Sequence, residues 1–176
     1  GCPPEQVLVP STGVIGVQLD PDKITRGIGS AAKGLSTDGG QSAARAIMTT
    51  DPFPKSFGVT VTGKAGVFSV GGMAKGSGMI EPRMATMLGF LTTGAQVDAG
   101  VLAGALKRVT DDTFNAITVD GDGSTNDSLF ALASGTSGVM IDEDSYPALL
   151  DALLMVSRDL AIGIVRGGEG ATKLIA

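Results

Sequence analysis

Val59-Thr60-Val61-Thr62, Gly63-Lys64-Ala65-Gly66 and Val67-Phe68-Ser69-Val70 form one continuous stretch. Two runs in which apolar and polar residues alternate flank four residues suited to a tight turn. That pattern predicts a β-hairpin, because alternate strand side chains point to opposite faces of a sheet. Downstream, Val97, Val101, Leu102, Ala105, Leu106 and Val109 repeat at helical spacing, with Asp98 near the start and Lys107-Arg108 near the end, as the helix dipole favours. A longer helix is predicted from about Ser145 to Ile164. Asp144 or Ser145 is its cap, Pro147 lies in its first turn, Leu149, Leu150, Leu153, Leu154 and Leu160 line its apolar face, and Gly167-Gly168 stops it. Between the helices, 116–119 reads as a strand, and Ser124 or Thr125 as the cap of a short helix through Leu129 to Ala133. Val7 to Val9 is a short apolar run. Strands and helices in mixed order, with no linker long enough to split them, give an α+β class and a single domain over 1–176.

Composition excludes several function classes. With 43% hydrophobic and 18% charged residues the chain can bury enough apolar surface to fold. Thirteen basic against 18 acidic residues leave a net charge of −5, and no Lys/Arg stripe exists to track phosphates, so nucleic acid is not expected as a partner. Apolar stretches are interrupted before the roughly 18 residues of a membrane span, so no membrane is expected either. One cysteine, Cys2, and no leader sequence point to a reducing, cytoplasmic location. The chain has no histidine, which removes Ser-His-Asp triads, Cys-His pairs and imidazole-bound metals; no metal site is expected.

The 27 glycines cluster at Gly71-Gly72, Gly76 to Gly78, Gly121 to Gly123 and Gly167 to Gly170, as candidate functional loops or as ordinary turns. Gly27-Ile28-Gly29 mimics a dinucleotide fingerprint but follows no strand, and the stretch from Gly72 to Ser77 breaks the order a phosphate loop requires. Asp120 to Asp127 begins like a calcium loop, yet has Thr125 where a glycine is needed and Ala131 in place of the closing glutamate.

The stretch 71–93 differs in kind. It combines Lys75, Pro82 and Ala85-Thr86 at the entrance to an apolar run. A threonine without histidine can still be activated when it is the first residue of a chain, since its own α-amine, with a pKa of about 8, serves as base. Attack of the Thr86 hydroxyl on the Ala85 carbonyl would create that terminus. A threonine beside Met87-Leu88 is otherwise an ordinary helix start.

Five segments then occur in order: Ser11 to Gly16, Ala43 to Asp51, Lys75 to Thr86, Asp112 to Asp120, and Gly168 to Lys173. Together they resemble the ornithine acetyltransferase family, the bifunctional glutamate N-acetyltransferases of arginine biosynthesis. The resemblance implies a layered α/β/β/α sandwich. It also implies a precursor that cuts itself between Ala85 and Thr86, leaving residues 1–85 in an α chain and residues 86–176 in a β chain, assembled as an α2β2 heterotetramer. Thr86 would carry the acetyl group from N-acetylornithine to glutamate in a ping-pong cycle; no cofactor is bound, and some members also take acetyl-CoA as donor. Thr12 and Gly13 match the oxyanion-hole positions, where one donor is worth about 3 kcal/mol of barrier. Thr49, Lys75 and Glu169 match substrate-contacting positions. Taken alone, Lys75 reads as a solvated loop lysine, Glu169 as an acid at a helix C-terminus and Thr12 as a turn residue, and Thr50 and Asp51 are read as structural.

Family members are longer at both ends, so the chain is expected to be a truncated portion lacking one wall of the pocket. Gly94 and Gly167 stand where the family usually has Asp, Gly123 where it has a bulkier residue, and Arg83 is unusual before Met84. Two competing readings follow. One is an N-terminal-nucleophile amidohydrolase or aminopeptidase in which water resolves the acyl-enzyme; the other is a folded, non-catalytic remnant.

Overall fold

A computed structural model describes residues 3–81 and 87–175. The hairpin forms as its alternation requires: β1 (Lys55–Gly63) and β2 (Gly66–Lys75) pair antiparallel, Val59 opposite Val70 and Val61 opposite Phe68, with Lys64-Ala65 at the tip. β3 (Leu88–Thr93), the apolar run that follows residue 86, continues the sheet antiparallel to β2. A parallel partner needs a crossover of a dozen or more residues. α3 (Ala99–Asp112) and a short 3-10 turn, Phe114–Ala116, supply it and deliver β4 (Ser128–Ala133) beside β3, giving the order β1-β2-β3-β4.

α4 (Tyr146–Arg166) covers one face of this sheet. Its stripe of Leu149, Leu153, Val156, Leu160 and Ile164, spaced at three and four residues, is buried against Phe68, Val70, Ala74 and Leu91. α3 packs beside α4 and β4, burying Ala105 and Val109, and starts where sequence spacing placed it: Asp98 Oδ1 accepts from the Gly100 and Val101 amides at 2.8 and 3.2 Å. α1 (Pro21–Lys33) is capped by Asp20 and buries none of its residues, whereas α2 (Gly40–Ala46) rests on the hairpin through the fully buried Ala44. The mixed α+β class is therefore as read. Of the α/β/β/α stack that the resemblance implies, the described residues form a helical layer and one sheet. The sheet's second face carries Thr60, Met73, Thr92 and the Phe90–Phe130 ring pair, whose centroids lie 5.9 Å apart.

Two local expectations are corrected. Residues 117–119 are not a strand: the Thr118 hydroxyl and the Val119 amide both donate to the Ile80 carbonyl, at 3.1 and 2.9 Å, so the segment straps the 79–81 loop instead of joining the sheet. Ile117 and Val119 still turn inward onto the core, and this produced the misleading alternation. The short helix expected through Leu129 to Ala133 is strand β4. The open edge of β3 offers six backbone partners, and Leu129 and Ala131 alternate inward, which overrides the weak strand propensity of a segment without β-branched residues. Gly27 and Gly29 sit inside α1, which disposes of the dinucleotide loop.

β2 and α4 meet at Gly72. A methyl group there would sit 2.9 Å from Leu91 Cδ2 and 3.0 Å from both Leu160 Cδ1 and the Phe90 carbonyl oxygen. The leucines can rotate, but the carbonyl belongs to the β3 backbone. Gly72→Ala is expected to destabilise the fold by about 1–3 kcal/mol, read as a lower urea midpoint at unchanged slope.

Candidate functional site

Lys75, the last residue of β2, is 3% exposed. Its Nζ donates to Thr49 Oγ1 at 3.2 Å and makes no ion pair among the described residues. Around it lies a hollow of about 320 Å³, lined by Thr49, Thr50, Ser77, Gly78, Met79, Asp120, Asp122 and Glu169. Three segments are tied together here: the Thr50 and Ser77 hydroxyls lie 2.5 Å apart, and the Glu169 amide donates to the Ser77 carbonyl at 2.6 Å. The result is one buried ammonium at the floor and three exposed carboxylates, Asp120, Asp122 and Glu169, at the rim. The rim passes close over Gly78, where a Cβ would lie 3.2 Å from Glu169 Oε2 and 3.5 Å from Asp120 Oδ2. A larger hollow, about 530 Å³, opens on the second face of the sheet, but Asp38 is the one ionisable side chain lining it, so the chemistry favours the smaller one.

Carboxylates surround the lysine on its inner side as well. Burial pushes Lys75 below its ordinary value; attraction from Asp51 and Asp127 opposes that, and repulsion from Lys55 adds to it. Asp51 is held below the usual carboxylate range: burial raises it, but the Gly76 amide, Lys55 and the Thr49 amide together outweigh burial. Asp120 is likewise lowered, its burial outweighed by the Met79 and Ile80 amides that donate to it at 2.6 and 2.9 Å. Those amides occupy the carboxylate that sequence spacing made a calcium candidate. Among the described residues no group of three or more acidic, cysteine or histidine side chains is placed to hold a metal ion, and no helix is long and apolar enough to cross a membrane.

Asp127 is the opposite case. Its Oδ1 accepts from the Met87 amide at 2.9 Å, while its buried Oδ2 has no partner among the described residues. Burial raises its pKa to about 6, against the lowering effects of the Met87 amide and Lys75.

Of the residues singled out from sequence, Thr49, Lys75 and Glu169 meet in this hollow. Thr12, half-buried, and Gly13, exposed, lie in the loop before α1 and do not line it. Ala85 and Thr86 fall outside the described residues, between Glu81 and the Asp127-bound Met87. Sequence reasoning missed Asp51, Asp120 and Asp127 as parts of the site. Asp51 and Asp120 each close one of the five matched segments, which was the available signal.

The ArgJ family profile matches residues 1–176. The arginine biosynthesis bifunctional protein ArgJ of Symbiobacterium thermophilum is 53% identical over 99% of this chain and 44% of its own length. Its namesake from Prochlorococcus marinus is 47% identical over 98% of this chain and 40% of its own. A crystal structure of arginine biosynthesis bifunctional protein ArgJ from Bacillus halodurans is 46% identical, with a TM-score of 0.46 over 48% of this chain and 41% of that one. The chain thus spans less than half the length of these relatives.

Asp127 makes the fold sensitive to pH in a defined direction. A carboxyl whose pKa rises on folding costs stability when it ionises, so the penalty is absent below about pH 4 and complete above its folded value of about 6. Asp127→Asn keeps an acceptor for Met87 and cannot ionise. Its unfolding free energy, from denaturant titrations, should match that of the unmutated protein near pH 4 and exceed it at pH 7.5, by about 1 kcal/mol for a partly solvated group.

Proposed function

Because the chain belongs to the ArgJ family, we propose that it is a portion of an acetyltransferase of arginine biosynthesis that moves acetyl from N-acetylornithine to glutamate through an acetyl-threonine. The observation that carries this reading is the hollow that joins Lys75, Thr49 and Glu169. N-acetylornithine presents a carboxylate and a side-chain ammonium. A buried ammonium that, among the described residues, has a hydroxyl as its hydrogen-bond partner suits the first, and the rim carboxylates suit the second.

In this reading the Thr86 hydroxyl first attacks the Ala85 carbonyl, and after the resulting ester is hydrolysed residue 86 begins a new chain with a free amine. That amine takes the Oγ proton as Oγ bonds to the acetyl carbon. The carbon–nitrogen bond of N-acetylornithine breaks, the amine returns the proton to the leaving nitrogen, and ornithine departs. Glutamate's amine then attacks the ester, acetylglutamate forms and Oγ regains a proton. Thr12 and Gly13 are assigned to the oxyanion, through a hydroxyl and a backbone amide. The same reading extends to acetyl-CoA as an alternative donor, an α2β2 assembly from one precursor and a cytoplasmic location.

Two measurements on the full-length protein test it. Intact mass should show two pieces split between Ala85 and Thr86, whereas Thr86→Ala should remain uncut and transfer no acetyl from N-acetylornithine; full transfer by that variant would refute the assignment. Lys75→Met should still be cut but should raise KM for N-acetylornithine about 10- to 100-fold, the range for losing a charge-assisted contact. Release of free acetate in place of acetylglutamate at saturating glutamate would favour the amidohydrolase.

A further inference from the structure

Beneath the hollow lies an ion pair that touches none of the space a substrate would fill. Asp51 Oδ1 accepts from Lys55 Nζ at 2.5 Å and from the Gly76 amide at 2.7 Å, while Oδ2 accepts from the Thr49 amide at 3.2 Å. Both side chains are shut off from water, at 1% exposure for Lys55 and 0% for Asp51. Lys55 packs its stem against Gly163 of α4 and its ammonium 5.0 Å from the Phe53 ring centre. One carboxylate therefore grips the residues on either side of the Lys75–Thr49 contact: Thr49 itself, and Gly76 immediately after Lys75.

We propose that Asp51 is a positioning residue that, with Lys55 as its counter-charge, sets the place and the charge state of Lys75 and thereby the affinity of the hollow for a substrate carboxylate. Geometry and electrostatics both lead there. Fixing the Gly76 and Thr49 amides to one carboxylate removes the freedom of both chain segments, so the ammonium is aimed before any ligand arrives. Lys75 also needs charge support to remain an ammonium in a buried place. The groups that face it are Asp51 from the loop before β1, Lys55 from β1 and Asp127 from the segment before β4, with Asp120, Asp122 and Glu169 at the rim. Asp51 attracts and Lys55 repels, so the two members of the pair pull Lys75 in opposite directions.

That opposition supplies the test, which rests on the reading of Lys75 as the carboxylate anchor. KM for N-acetylornithine is measured from pH 6 to 10 on the full-length protein and on Asp51→Asn, Lys55→Met and the double variant. KM should rise at alkaline pH as Lys75 loses its proton. Asp51→Asn should move that rise to lower pH and increase KM more than it lowers kcat. Lys55→Met should move the rise upward, and the double variant should return it toward the unmutated position. A melting temperature that falls with the rise unmoved in either single variant means the pair only holds the fold, and overturns the proposal. Should Asp51→Asn fail to fold, the Lys55→Met and double variants decide alone. Lys75→Met separates the two layers of inference: an unchanged KM defeats the anchor reading itself, whereas a raised KM with unmoved pH profiles in the pair variants defeats only this proposal.

Discussion

The close approach of α4 to β2 governs this molecule. A 21-residue helix with a continuous apolar stripe can bury that stripe on a sheet only if the strand beneath it presents small or inward-facing apolar groups along the line of contact. Phe68, Val70, Gly72 and Ala74 do this in strict alternation, Gly72 taking the place where the Phe90 carbonyl, with Leu91 and Leu160, would crowd a side chain. Lys75, which follows Ala74 at the end of β2, is buried, and once α4 has ended at Arg166 the chain brings Glu169 to the hollow that Lys75 also lines.

The hollow makes physical sense as a balance of charges held at different depths. A buried ammonium is costly unless carboxylates lie within reach, and the chain provides them on two sides, none of those among the described residues forming a direct ion pair with Lys75. Asp51 is committed to backbone amides and to Lys55, and Asp120 to the amides of Met79 and Ile80. Among the described residues Lys75 is left with the Thr49 hydroxyl as its hydrogen-bond partner.

How far the sequence alone reached depended on whether a signal was local. The hairpin was legible because alternation and turn chemistry lie within 12 residues of each other, and α3 and α4 because helical spacing is a short-range pattern. β4 was not legible: Ser128 to Ala133 has only weak strand propensity, with Phe130 as its one strand-favouring residue, and pairing with β3 beside it decides the outcome. The segment 117–119 shows the reverse error, an alternation produced by packing onto the core without a ladder. Among the site residues, Thr49, Lys75 and Glu169 were reached through family likeness, not through spacing, since 120 positions separate the first from the last. Asp51 was read as structural because its importance lies in bonds to amides that no residue pattern encodes.

The parallel pairing of β3 with β4 also has a kinetic meaning. The hairpin closes within a few residues, but Leu88 meets Ser128 only after a 40-residue excursion through α3, a closure that carries a larger entropic barrier. The Met87 amide gains its Asp127 acceptor in that same late event. The backbone just beyond residue 86 thus shares the long-range closure that joins β3 to β4.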